Sequence, residues 1–140
     1  GGVQMDIIKV SEYNNIYACG LFVDEKEGLY RKNPTDAKRY SKWLHRQLGY
    51  LDTIGLTVLD DHPKTFEKLS GGKEKIYAIR WKEFSGNPRI LFFTIVEEGE
   101  ADIFVLLAAF KEGKTGDYKR YIPVAQERMK QILLELKEEQ

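Results

Sequence analysis

The sequence predicts an α+β domain: N-terminal strands and helices, then an antiparallel sheet meander closed by a C-terminal helix. Three observations predict it. Apolar residues recur at helical spacing from Ala37 to Leu48 and again from Ala125 to Leu136. Between these stretches stand three strand-like runs, Lys75 to Trp81, Arg89 to Val96 and Asp102 to Phe110. The links Ser85-Gly86-Asn87-Pro88 and Glu98-Gly99-Glu100 are short enough to join those runs as an antiparallel meander.

The four residues ahead of Met5 read as a frayed or non-native end, and a single domain is expected over residues 5–140. Met5 to Val10 and Asn15 to Val23 read as strands, with Gly20 a weak point in the second, so the pair forms a hairpin or a strand and a loop. Asn33-Pro34-Thr-Asp36 starts a helix: Asn33 caps, Pro34 sits where its missing N–H is harmless, and Asp36 complements the dipole. Ala37, Tyr40, Leu44 and Leu48 give that helix its apolar stripe, Gly49 loosens or ends it, and a second short helix is expected over Tyr50 to Ile54. Thr57 to Leu59 lead into a turn at Asp60-Asp61-His62-Pro63; Thr65 to Leu69 offers Phe66 and Leu69 to the core, and Gly71-Gly72 turns the chain. In the last helix Ala125, Met129, Ile132, Leu133 and Leu136 are expected on one face.

With 42% hydrophobic and 31% charged residues, the composition is that of an ordinary globular protein. One cysteine, Cys19, excludes an internal disulfide and reads as a buried small apolar residue, and no spaced zinc-ligand set exists. No apolar run has the length of a membrane span, so a cytoplasmic location without membrane contact is expected. Lys+Arg and Asp+Glu both number 22, whereas nucleic-acid binders usually carry a positive excess. A local basic patch is compatible with that balance because acids concentrate at Asp24 to Glu27, Glu97 to Asp102 and Glu135 to Glu139.

Arg80 closes an Ile-x-Ala-x-Arg alternation, so it shares a sheet face with Ile76 and Ala78 and opposes Tyr77, Ile79 and Trp81. Arg89 opens the next run. Two nearby guanidinium groups repel unless an anion lies between them, which a phosphodiester would satisfy, or carboxylates such as Glu83 or Glu97 neutralise them. Lys111 ends the last run, with Lys114, Lys119 and Arg120 behind it and Tyr118 and Tyr121 interleaved; Lys73 and Lys75 flank the glycine turn. Cations mixed with aromatics suit RNA, and solvated lysines around a loop are the plainer alternative.

Read in order, the pieces are Leu69-Ser-Gly-Gly-Lys-Glu-Lys-Ile-Tyr-Ala-Ile-Arg80, Asn87-Pro-Arg89-Ile-Leu-Phe-Phe, Ile103-Phe-Val-Leu-Leu-Ala-Ala-Phe-Lys111 and Ala125-Gln-Glu-Arg128. That order resembles the RelE/HigB superfamily of bacterial toxins, in particular its phage-derived branch, over roughly Ile54 to Leu133. The resemblance implies a RelE-like fold and a metal-independent, cofactor-free endoribonuclease that cuts mRNA, ribosome-dependently, by attack of the ribose 2′-hydroxyl on the adjacent phosphate. It makes Arg80, Arg89 and Lys111 the catalytic residues, the arginines stabilising the phosphorane-like charge and Lys111 assisting or moving a proton. Lys73, Lys75, Lys114, Tyr118, Lys119 and Arg120 would bind RNA. The implied partners are a cognate antitoxin protein, mRNA and the ribosome. The chain departs from the pattern at Ala78, where an acid is common, at Ala108 for a histidine, at Glu112 for a lysine and at Gly116 for a proline. These departures leave a second reading open, a catalytically inactive binding or regulatory module on the same fold. Convergence of Arg80, Arg89 and Lys111 within reach of one phosphate separates the two.

Overall fold

The computed structural model describes residues 5–69, 75–113 and 117–139. The Gly71-Gly72 turn and the candidate cations Lys73 and Lys114 lie outside these residues, as does Gly116.

β1 (Ile7–Lys9) and β2 (Ile16–Cys19) form an antiparallel hairpin. The strand expected to reach Val23 stops at Cys19, and Gly20–Gly28 is helix α1. Its Asp-Glu-Lys-Glu stretch has better helix than strand propensity, and the helical turn buries Phe22 at 3% exposure. Helix α2 (Pro34–Ile54) begins as expected: the Asn33 side chain accepts from the Asp36 N–H at 3.1 Å, and Pro34 occupies the first turn. Gly49 does not interrupt it, because buried Leu48 and Leu51 on either side anchor the helix to the core. Residues 50–54 are thus the end of α2 rather than a second helix, which stops at Gly55 with φ of 63°. A 3₁₀ turn (Gly55–Thr57) and a single α-turn, α3 (Val58–Asp61), follow, so that Asp60 and Asp61 of the expected turn end a helical turn, and Val58 is buried.

β3 (Phe66–Lys68), β4 (Tyr77–Arg80), β5 (Pro88–Ile95) and β6 (Ile103–Lys111) pair successively antiparallel, and α4 (Asp117–Glu138) closes the chain. The six strands make one mixed sheet in the order β1-β2-β6-β5-β4-β3, with β2 parallel to β6. The N-terminal hairpin therefore extends the meander, giving the α+β class a sheet that is mixed rather than purely antiparallel.

Both sheet faces are covered. On one, Leu44 and Leu48 of α2 line a cavity of about 520 Å³ with Ala18 of β2 and Leu106 of β6. On the other, Phe110 of β6 stacks on Tyr121 of α4 at 4.3 Å and meets Tyr118 edge-on at 5.6 Å. Ala125, Met129 and Ile132 carry α4 into the core, whereas Leu133 and Leu136 are 44% and 36% exposed. The expected five-residue face is too wide for what the sheet can cover, so its outer members stay in solvent. Cys19 is buried, as expected, and burial pushes its thiol pKa up. Among the described residues, no helix is long and apolar enough to cross a membrane.

Candidate functional site

Strand parity builds the site. Arg80 lies directly opposite Arg89, Arg89 opposite Phe110, and Glu67 opposite Ala78. With a side-chain period of two, Glu67, Ala78, Arg80, Arg89, Phe110 and Glu112 therefore share the sheet face that α4 covers. Tyr118, in the first turn of α4, sits over this face.

Both arginines are paired there with carboxylates. Arg80 forms an ion pair with Glu67, and its guanidinium also donates to the Lys64 and Pro63 carbonyls, both at 3.1 Å. Arg89, only 4% exposed, donates from Nε to Glu112 at 2.7 Å and forms a second contact through Nη2 at 2.5 Å. Its Nη1 is buried and has no hydrogen-bond partner among the described residues. The Tyr118 hydroxyl donates to the second Glu67 oxygen at 3.2 Å, while its ring lies 5.5 Å from the Arg89 guanidinium carbon. Burial first, helped by Glu67 and Glu112 and opposed by the Arg89 charge, raises the Tyr118 pKa, so the phenol keeps its proton through neutral pH.

The neutralising acids are thus Glu67 and Glu112, not Glu83 or Glu97. Glu67 escapes the sequence because residues 66–68 carry no strand signal of their own; they become β3 only by pairing with β4. Glu112 was legible by parity, standing two residues beyond Phe110, although its neighbour Lys111 draws attention first.

Lys111 does not join the arginines. It stands opposite Pro88 and, by the same alternation, points to the other face, where its ammonium lies 4.2 Å from the Tyr30 ring centre. Its stem covers Gly86, which has φ of 82°; a β-carbon there would come within 2.7 Å of Lys111 Cδ. Of the three residues whose convergence separates the two readings, Arg80 and Arg89 share a face and Lys111 does not: adjacent strand residues alternate faces, and Lys111 is one residue out of step. Of the candidate RNA contacts, Lys75 is exposed just ahead of β4, and Lys119 and Arg120 are exposed at the start of α4. Arg120 also lies against Tyr121, at 5.5 Å.

The histidines sit apart from the cluster. His45 Nδ1 lies 2.6 Å from the Tyr13 hydroxyl, and His62 stacks on Tyr50 at 4.5 Å. Among the described residues, no group of three or more His, Cys, Asp or Glu side chains is arranged to hold a metal ion.

Taken together, the face offers two guanidinium groups for anionic charge, a carboxylate able to accept a proton and a protonated phenol able to donate one. Compared with known proteins, the chain matches no family model, no curated protein and no solved structure.

Proposed function

We propose that this chain is a RelE/HigB-like toxin, an endoribonuclease that cuts mRNA by attack of the 2′-hydroxyl on the adjacent phosphate. The observation that carries the reading is the Glu67–Arg80–Arg89–Tyr118 cluster on one sheet face. Cleavage of this kind requires a base, positive charge at the pentacoordinate phosphorus and an acid for the leaving oxygen. Glu67 takes the 2′-hydroxyl proton, Arg80 and Arg89 hold the charge of the non-bridging oxygens, and Tyr118 protonates the departing 5′-oxygen. The products are a 2′,3′-cyclic phosphate and a 5′-hydroxyl. Glu67 and Tyr118 thus take the acid–base work that Ala78 and Ala108 lack the groups for, and Lys111 has no part in it. Substrate phosphate displaces Glu67 from Arg80, the more exposed of the two guanidinium groups, with Arg89 adding its charge from behind, a step that a ribosome presenting oriented mRNA would favour. A cognate antitoxin would cover the end of this face where Arg80 and Glu67 are partly exposed.

A second reading, a module on the same fold that binds without cutting, is favoured by two observations: Arg80 and Arg89 are already neutralised by Glu67 and Glu112, and Lys111 does not converge with them. Controlled expression with primer-extension mapping of a reporter mRNA decides between the two. The toxin reading expects new 5′ ends and growth arrest, both lost in Arg80→Ala/Arg89→Ala. It also expects the cleavage rate to fall about 10²–10⁴-fold in Glu67→Gln and in Tyr118→Phe. Folded protein that yields neither ends nor arrest would leave the binding module as the function.

A further inference from the structure

A second group of positive charge lies away from the arginine cluster, in a groove on the other side of Arg80. Trp43 and Arg46 of α2 form one wall, Lys64 the far end, and Arg80, Trp81 and Lys82 the opposite wall, enclosing about 640 Å³. Among the described residues one acid, Glu83, lines the groove. Arg46, Lys64 and Lys82 are exposed, and among the described residues none of them has a carboxylate within 4.0 Å. The charge continues along α2, where Lys38, Lys42 and Arg46 follow one another at four-residue spacing on the exposed side of the helix.

The groove is pre-organised. Arg80 ties the Pro63 and Lys64 carbonyls to the end of β4, and the Arg80 N–H donates to the Thr65 carbonyl at 2.8 Å. Trp81 stacks on Trp43 at 5.0 Å and on Phe84 at 4.1 Å, and the Arg39 guanidinium lies 5.0 Å from the Phe84 ring centre. This pillar locks the β4–β5 connection against α2. It also occupies the ring faces on which a nucleobase would stack, leaving the groove to its charges.

We propose that this groove binds the phosphodiester backbone of single-stranded RNA, Arg46, Lys64 and Lys82 meeting successive phosphates without reading bases. The inference rests on the RNA reading above and deepens it: Arg80 belongs to both places, so a strand held in the groove is led to the face where Arg89 and Glu67 stand. A ligand charged at every unit suits this site, because three exposed cations, Arg46, Lys64 and Lys82, line one groove, and competition by polyglutamate separates it from an acidic peptide. The placement also answers the zero net charge, since affinity for a phosphate backbone follows the cations that meet it and not the chain total.

The test is fluorescence anisotropy of the full chain with a short, unstructured 2′-O-methyl RNA across a salt series. The 2′-O-methyl group blocks cleavage by 2′-hydroxyl attack, so binding is read whether or not the protein cuts. Lys64→Ala/Lys82→Ala is compared with Lys130→Ala/Lys137→Ala, which removes the same charge from exposed positions on α4. The groove pair is expected to weaken binding at least tenfold and to reduce the slope of log K against log salt by about 1.4, while the control pair changes affinity less than twofold. Circular dichroism confirms the fold of each variant, and Lys64→Gln/Lys82→Gln replaces a pair that does not fold. Equal losses in the two pairs, no RNA binding by the unmodified chain, or competition by polyglutamate as effective as by RNA would overturn the proposal. Binding that maps to the groove without any mRNA cleavage would overturn only the nuclease reading.

Discussion

Tyr13 and Tyr30 hold their protons more tightly in the folded chain than an exposed tyrosine does. Burial, then the charges of Glu12 and Asp52, push Tyr13 from 10.0 up to about 12. Burial and Asp36 do the same for Tyr30, again to about 12. Each phenol also has a structural bond: Tyr13 donates to the His45 carbonyl at 2.9 Å and Tyr30 to the Ser85 carbonyl at 2.6 Å. Since the folded state retains protons that the unfolded chain gives up near pH 10, their stabilisation is complete below that pH. It is lost as the pH rises from about 10 to about 12. Melting temperature followed against pH is expected to fall across that window, and less steeply in Tyr13→Phe/Tyr30→Phe. The Arg89–Glu112 pair makes a second prediction. Glu112→Gln leaves a guanidinium that is 4% exposed without its counter-ion and is expected to cost about 2–3 kcal/mol in urea unfolding. Arg89→Met/Glu112→Gln should cost less than Glu112→Gln alone, because the uncompensated charge is then gone. A double variant at least as unstable as the single one would contradict this account.

At the scale of elements, the free edge of β6 explains why α1 exists. β2 pairs with β6 only as far as Leu106, and a bulge leaves Leu107 between the Leu91–Ala108 and Phe92–Leu106 pairs. The Leu107 carbonyl accepts from Arg128 Nη1 at 2.7 Å and from the Cys19 thiol at 3.4 Å. The Ala109 N–H donates to Glu25 at 3.3 Å, and Glu25 binds Arg128 through both its oxygens at 2.7 and 2.9 Å. Two charged side chains, one from α1 and one from α4, thus complete a ladder that the short β2 leaves open. Glu25→Ala would strand an Arg128 side chain that is 14% exposed and is expected to cost about 2–3 kcal/mol by chemical denaturation. A loss under about 0.5 kcal/mol would show that the edge needs no such closure.

Over the whole molecule, one core cluster joins both sheet faces, running from Tyr13 and Phe22 through the strands to Met129 and Ile132. A single cooperative unfolding transition is therefore expected. The chain's two tryptophans, Trp43 and Trp81, stack on each other and report how α2 docks on the β4–β5 connection. Their emission and the far-UV circular dichroism should follow one curve in urea; an earlier tryptophan change would make that connection a separately opening unit. Charge is segregated on the same scale. Exposed cations run along α2 into the groove, whereas acids occupy the β5–β6 connection and the end of α4. A total of zero is in this way compatible with a basic surface on one side.

Much of this was legible in the amino-acid order alone. The Asn33-Pro34 cap, the β4–β6 meander, the facing of Arg80 and the burial of Cys19 all follow from local rules of capping, side-chain period and turn chemistry, which act over a few residues. Chain order also brought Arg80 and Arg89 to neighbouring strands, and a strict count of strand parity would have parted Lys111 from them. What required the tertiary structure involves partners far apart in the chain. β3 exists through its pairing with β4, α1 runs along the β6 edge that β2 leaves open, and Glu67, Tyr118 and the wall formed by Lys64 meet the arginine strands only through folding. The physical reason is that backbone propensity and periodicity are short-ranged, whereas the pairing of a buried charge is decided by whichever side chains the closed sheet and its helices bring within a hydrogen bond.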